Sequence, residues 1–318
     1  MKQIKIAHTD LILSPVGLGT VKAGISWDHE DAFRLFDFYL SKGGNIIDTA
    51  HVYSDWEPGE IARSERVVGD WIRSRRHRND FILITKGGHP HLDTMQVSRL
   101  SKEEMTDDLD DSLKKLGTDY IDIYLYHRDD PTRSVEELIE TMEEFRCSGK
   151  IRYYGCSNWT TQRMLEADAY CREKGYRGFV ANQAFYNIGT QYMKPYSDPT
   201  MVICDSQMLD YHRNSENLLM PYMGVCKGFF HNLKRRKMDV VTASCYYTPG
   251  NIKIANHIFQ LCQKKDITIT QALLGFFYIQ DFPCVPLAGA NTLEQLAEFT
   301  DTFSIKFSAE EYSFLTMA

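Results

Sequence analysis

The chain has 318 residues, 43% hydrophobic and 25% charged, the balance of a globular protein with a large core rather than a disordered or fibrous one. Its 36 basic and 43 acidic side chains give a net charge of -7, which offers no overall attraction for nucleic acid or an anionic membrane. No apolar run approaches the ~20 residues that span a bilayer, the start MKQIKIAHTD lacks a signal-peptide core, and the eight cysteines are scattered without a C-x-x-C pair; together these predict a cytoplasmic protein with reduced thiols and neither a disulfide frame nor a zinc site.

No Pro/Gly/Ser-rich linker divides the chain, so one domain over 1–318 is expected. The segment IKIAHTDLILSP predicts a β-hairpin that turns near Thr9-Asp10 and plugs the bottom of whatever follows. SPVGLGT supplies a first strand and NIIDTA a second, followed by a helix in SERVVGDWIRSRR. The basic run RSRRHR from Arg73 to Arg78 reads as a solvated helix end. FILITK leads to SKEEMTDDLDDSLKKLG, a helix with a capping box at Ser101 and Glu104 and a stop at Gly117. IDIYLYH leads to SVEELIETMEEFRCSGK, where Ser134 and Glu137 predict a second capping box. IRYYGCS is followed by helical TTQRMLEADAYCREKG, and FVANQ by a long irregular segment from Asn187 to Asn217 and then NLLMPY. Two helices, NIKIANHIFQLCQKK and TQALLGFFYIQ, precede the last strand, CVPLAG, and LEQLAEFTDTF closes the chain as a helix.

Short continuous apolar runs between helices indicate strands buried on both faces, hence a parallel sheet. Eight such units in this length predict an α/β fold, a (β/α)8 TIM barrel with an N-terminal β-hairpin plug. An open doubly wound sheet is the alternative, but no G-x-G-x-x-G follows the first strand.

In such a barrel the chemistry gathers where strands end. The successive ends here are Asp48, Lys86, His127, Ser157-Asn158, Gln183 and Tyr222, with Tyr53 just past the first of them. Taken singly, each has a plainer account: Asp48 as a helix cap, Lys86 as a solvated lysine, His127 as a core histidine, the tyrosines as packing groups, and Asn158 and Gln183 as partners of loop backbone. Taken together, they place an acid, an amine, an imidazole and a phenol on one rim. An ammonium beside a phenol favours the phenolate and lowers its pKa, and a buried carboxylate holds the ammonium. With an imidazole to hydrogen-bond a carbonyl, the set is a proton donor and oxyanion site aimed at one C=O. Its missing part is an electron source, which a nicotinamide supplies.

Asp48, Tyr53, Lys86 and His127, in that order and at those strand ends, resemble the tetrad of the aldo-keto reductase superfamily. GCSNW (155–159), ANQAFYN (181–187), YMGVCKGFF (222–230) and LAGANTLEQLAE (287–298) extend the likeness over nearly the whole chain. The resemblance implies that Tyr53 is the general acid, that Lys86 and Asp48 tune it, and that His127 orients the carbonyl. It implies that Ser157, Asn158 and Gln183 hold the nicotinamide carboxamide, that Tyr222 stacks on the ring, and that the adenosine end lies along Gly289, Asn291, Gln295 and Glu298. NADP(H) is the cofactor the family suggests. NAD(H) stays open, because Asn291 and Gln295 stand where members carry a cation for the 2′-phosphate, leaving Lys227 or Lys253 to supply it. Phe299 replaces a frequent Asn, and Met223-Gly224 replace a frequent Ser-Pro, which puts the rigidity of that loop in question.

The expected partner is a small carbonyl or alcohol substrate, and the oligomeric state is left open. Tyr192, Tyr196, Asp198, Asp205, Asp210, Tyr211 and His212 in the segment after strand six, with Trp27, Trp56 and Trp159, suggest a mouth suited to a sugar-like carbonyl compound. Two other functions compete: a regulatory subunit that binds the cofactor with little turnover, and a lyase or isomerase using Lys86 as a Schiff base.

Overall fold

The computed structural model describes residues 3–76 and 78–317; Met1 and Lys2 of the start, and His77 of the basic run, lie outside the described residues. A hairpin of β1 (Ile4–Lys5) and β2 (Ile12–Leu13) pairs antiparallel ahead of eight parallel strands: β3 (Gly17–Gly19), β4 (Ile46–Asp48), β5 (Ile82–Gly87), β6 (Ile121–Tyr126), β7 (Ile151–Ser157), β8 (Ala181–Gln183), β9 (Leu218–Leu219) and β10 (Leu287–Ala288). Their order, β10-β3-β4-β5-β6-β7-β8-β9, follows the chain. The circle closes where Leu219 bridges Cys284: Leu219 N donates to Pro283 O at 2.9 Å, Val285 N to Leu219 O at 2.9 Å, and Leu287 N to Pro221 O at 2.8 Å.

Side chains alternate across each strand, so one face looks into the barrel and the other at the helices. Ile4, Ile6, Leu11 and Leu13 of the hairpin join Ile46, Ile84, Ile123, Leu125 and Ala181 in one interior cluster. Asp10 beside the turn pairs with Arg152 at the start of β7. The hairpin therefore sits under the end where strands begin, as a plug. At the other end the same alternation fixes what faces inward. Asp48 follows Ile46 by two residues, Lys86 follows Ile84, His127 follows Leu125, and Gln183 follows Ala181. Each reactive side chain shares the inward phase of an apolar residue one step earlier.

The helices are α1 (His29–Ser41), α2 (Arg63–Arg75), α3 (Lys102–Leu116), α4 (Val135–Cys147), α5 (Thr161–Lys174), α6 (Ser206–Ser215), α7 (Phe229–Lys234), α8 (Met238–Ala243), α9 (Pro249–Lys265), α10 (Ile269–Tyr278), α11 (Leu293–Asp301) and α12 (Ala309–Thr316). Ser101 and Glu104 form the full capping box of α3. At α4 only half of the expected box forms: Ser134 accepts from Glu137 N, but the Glu137 carboxylate is taken by Arg133. The segment 187–217 is not irregular throughout, because it contains α6, capped by Asp205. The basic run is spread over carboxylates: Arg73 bonds Asp70 at 2.7 Å, Arg75 bonds Asp37 at 2.9 Å, and Arg78 bonds Asp122 at 2.8 Å.

Helices α2 and α3 touch at Gly69, where an added Cβ would lie 2.0 Å from the Lys115 carbonyl oxygen. Backbone cannot yield as a side-chain tip can. Gly69→Ala is expected to destabilise the fold by ~1–3 kcal/mol, read as a lower urea midpoint at unchanged slope. An unmoved midpoint would show that the two helices do not meet there in solution.

Candidate active site

The ends of β4, β5 and β6 bring three of the four tetrad side chains together, and the turn after β4 adds the fourth. Lys86 Nζ lies 3.0 Å from both oxygens of Asp48, 2.6 Å from Thr49 O and 3.1 Å from Tyr53 Oη. Asp48 is no helix cap: its Oδ1 also accepts from Gln183 Nε2 at 2.6 Å. The Tyr53 and His127 rings meet edge to face with centroids 5.9 Å apart. An ammonium has three hydrogens. With one on the carboxylate and one on Thr49 O, the third is donated to the phenol oxygen. The phenol's own hydrogen is then free to point into the cavity.

The electrostatics differ in one respect from the sequence expectation. Burial lifts Tyr53 above the ordinary phenol range; Lys86 opposes this, Asp48 adds to it, and the net direction is upward. The ammonium pulls as foreseen, but removal from water exceeds it. Burial pulls the Lys86 ammonium down, yet Asp48 and Tyr53 outweigh burial and hold its pKa above the usual value. Asp48 is lifted by burial, against Lys86 and the Gln183 amide. Burial, with His89, Arg128 and Lys86 nearby, drives His127 well below the usual imidazole value, so it is neutral at physiological pH. Its Nδ1 is buried with no partner among the described residues.

These groups line a cavity of about 420 Å³ that continues past Ser157, Asn158 and Tyr222 to Gly224, Lys227 and Gly289. A larger hollow of about 640 Å³ lies between α5 and α6, but it is open to solvent and holds none of the strand-end residues. Asn158 is tied on both sides: Nδ2 donates to His127 O at 3.2 Å and to Ser157 Oγ at 3.0 Å, and Oδ1 accepts from Tyr222 Oη at 2.6 Å. Tyr222 thus lines the cavity from a tethered position, its ring centroid 5.6 Å from that of Phe185. Gln183 differs from expectation in part, since its amide is already bonded to Asp48. The loop after Tyr222 has left-handed backbone at Met223, Cys226 and Lys227, with φ 62, 52 and 50°. Asn187 pins it: Nδ2 donates to Met223 O at 3.0 Å and to Tyr246 Oη at 2.8 Å. These bonds tether the loop at Met223, where the sequence lacks the Ser-Pro. The amides of Gly224 and Val225, both on the cavity wall, form no hydrogen bond with the described residues. They are donors available to an anion.

Beyond Gly289, Asn291 N donates to Gln295 Oε1 at 2.7 Å at the start of α11, and Glu298 lies half-buried further along it; none of the three lines the cavity. Lys227 stacks its ammonium 4.8 Å over the Tyr196 ring, while Lys253 is exposed on α9. Another cation stands beside Asn291. Lys22, past the end of β3, lines the cavity and donates to Asn291 Oδ1. Sequence reasoning passed it over because it lies in the turn after β3, where strand alternation no longer sets direction. His89 and Arg128 were missed too. His89 is pulled down to about 4 by burial and by Arg128, and its ring lies 4.8 Å from His127.

The aromatic and acidic side chains foreseen for a sugar mostly face elsewhere. Asp205 caps α6, Asp210 pairs with Arg213, and Tyr211 and His212 bond Asn217 behind the barrel wall. Trp27 and Trp159 are buried in the core, and of the three tryptophans only Trp56 lines the cavity. Val52, Leu92 and Met201 complete an apolar wall around the reactive end.

Among known proteins, the model of the aldo/keto reductase family matches residues 15–317. Norsolorinic acid reductase B of Dothistroma septosporum is 28% identical over 94% of this chain and 76% of its own length. The aryl-alcohol dehydrogenase [NADP(+)] of Phanerodontia chrysosporium is 27% identical over 96% of this chain and 82% of its own. A putative aryl-alcohol dehydrogenase of Schizosaccharomyces pombe is 24% identical over 96% and 90%.

Proposed function

This chain belongs to the aldo/keto reductase family, and from that premise we propose that it interconverts an aromatic carbonyl compound and its alcohol with NADP(H), Tyr53 serving as general acid and base. The observation that carries the reading is the contact of Lys86 Nζ with Tyr53 Oη at 3.1 Å and with both Asp48 oxygens at 3.0 Å.

When bound, the nicotinamide supplies the hydride that the carbonyl carbon accepts. The chain's own residues do the rest. Tyr53 delivers its proton to the carbonyl oxygen, and Lys86 stabilises the phenolate left behind. Asp48, itself held by Gln183, keeps the ammonium in place. The neutral His127 donates one N–H to the carbonyl oxygen and fixes its direction. Ser157, Asn158 and Gln183 would hold the carboxamide, and Tyr222 would pack against the ring. The free amides of Gly224 and Val225, with Lys227 and Gly289, would hold the phosphates. Lys22, beside Asn291, supports a phosphate at that end and so supports NADP(H) over NAD(H). An aromatic substrate is supported by the wall of Val52, Trp56, Leu92 and Met201, and by the name of the Phanerodontia relative.

The test is a tryptophan-fluorescence titration with NADPH and NADH, run beside NADPH oxidation with aromatic aldehydes and keto-sugars. Tight NADPH binding with aldehyde turnover is expected. Binding without turnover on any carbonyl compound would make the protein a nucleotide-carrying regulator instead. Lys22→Met is expected to weaken NADPH about tenfold, the scale of one charge-assisted contact, with a smaller loss for NADH. An equal loss for both nucleotides would put Lys22 at the bridging phosphates rather than the 2′-phosphate.

A further inference from the structure

Arg128 follows His127 at the end of β6, lines the reaction cavity and is 8% exposed. A guanidinium does not deprotonate in a protein, and one buried this far is ordinarily matched by a carboxylate in forked contact. Arg128 is not. Among the described residues, its Nε donates to Thr200 Oγ1 and its Nη1 to His127 O, each at 2.9 Å. Nη2 faces Asp198 Oδ2 at 3.6 Å, beyond hydrogen-bond length. Asp198 is turned toward Thr200, whose N and Oγ1 donate to its Oδ1 at 2.9 and 2.7 Å. The other titratable groups coupled to Arg128 are the phenols of Tyr53 and Tyr222 and the imidazoles of His89 and His127. None of these is an anion at neutral pH. Asp198 offsets part of the charge from 3.6 Å, yet Nη2 donates to none of the described residues, so a cation with donor capacity to spare opens into a cavity whose remaining wall near the reactive end is apolar.

We propose that Arg128 is the substrate-anchoring residue, and that the protein's substrates are aromatic carbonyl compounds carrying a carboxylate, which docks on Nη2 while the C=O sits between Tyr53 and His127. The inference rests on the reductase reading above and narrows its substrate class. A neutral aldehyde entering this cavity strips water from the guanidinium and returns nothing. A carboxylate replaces that water with a charge-assisted fork at low dielectric. The Nη1 bond to His127 O links the two ends: the residue that recognises the anion also braces the one that orients the carbonyl.

The competing account makes Arg128 a strut between β6 and the Asp198–Thr200 turn. The two accounts separate on substrate ratios. With the full chain and NADPH, 3- and 4-carboxybenzaldehyde are compared with their methyl esters. The parent protein is expected to favour the acid of at least one pair by about tenfold or more in kcat/KM, mainly through KM. Arg128→Met should collapse that ratio toward one, and Arg128→Lys should retain part of it. Equal use of acids and esters by the parent overturns the proposal. So does a proportional fall for both substrates in Arg128→Met, which is the signature of a strut. Should the variant fail to fold, the parent decides alone: benzoate is expected to compete with a neutral aldehyde where benzamide does not, and equal inhibition by both overturns the assignment. If NADPH neither binds nor is oxidised with any of the four aldehydes, the reductase reading itself fails and takes this inference with it.

Discussion

Tyr53→Phe is expected to lower kcat for carbonyl reduction by roughly 10²–10⁴-fold while leaving NADPH affinity close to that of the parent. The substitution removes one oxygen and nothing of the ring that packs beside His127 and Trp56. Lys86 keeps Asp48 and Thr49 O as partners, so the ammonium stays seated. The loss therefore falls on proton delivery, read as a drop in kcat at constant nucleotide Kd. The parent's pH profile gives a second check. Because burial lifts the phenol's pKa, Tyr53 is protonated throughout the neutral range. Reduction needs that proton and should stay flat through neutral pH, falling only in strong alkali. Oxidation of the alcohol needs the phenolate and should rise with pH over the same range. The alkaline fall of reduction and the rise of oxidation should both vanish in the variant. Retained reduction in Tyr53→Phe would remove the phenol from the mechanism.

Lys86→Met carries the second large effect, on stability as well as rate. Lys86 and Asp48 are each 1% exposed. Removing the ammonium leaves a buried carboxylate with only the Gln183 amide, at a cost of about 3–5 kcal/mol. The sign of the pH dependence follows from linkage. In the variant the folded-state pKa of Asp48 lies further above its unfolded value than in the parent, so the folded state binds more protons between the two. Stability then falls as pH rises through that window and is recovered as pH drops toward the unfolded carboxyl value. Urea midpoints at pH 5 and pH 8 should show the larger deficit at pH 8. The double variant Asp48→Asn/Lys86→Met should regain much of the stability and none of the activity. An equal deficit at both pH values would mean that the carboxylate is not what suffers.

Much of the site was readable because it is built on strands. Period-two alternation sets the side that a strand-end residue faces, so Ile46 to Asp48, Ile84 to Lys86 and Leu125 to His127 follow from spacing alone. Lys22 also lines the cavity, but it lies in the turn past β3, beyond the reach of that alternation. Helix α1 was equally legible and unread: Asp28 caps it, and Ala32, Leu35, Phe36 and Tyr39 mark one buried stripe. Other features depend on contacts that sequence does not display. Asp205 has the same composition signal whether it binds a ligand or caps α6. Glu137 would have closed a capping box had Arg133 not been within reach. The direction of the Tyr53 shift turns on how far burial exceeds the pull of Lys86, and Arg128 becomes informative only once its burial is known.

The closure of the barrel has its own consequence. β9 and β10 are two residues each, and the join between β9 and the chain leading into β10 rests on the few amide bonds around Leu219, Pro221 and Val285. Such a short lap is where a cylinder of staves springs first. Tyr222 stands on one side of it and Gly289 on the other, and both face the same hollow. On the proposed reading, a dinucleotide laid from one to the other would span the join as a hoop, and NADPH is then expected to raise the temperature at which the barrel comes apart.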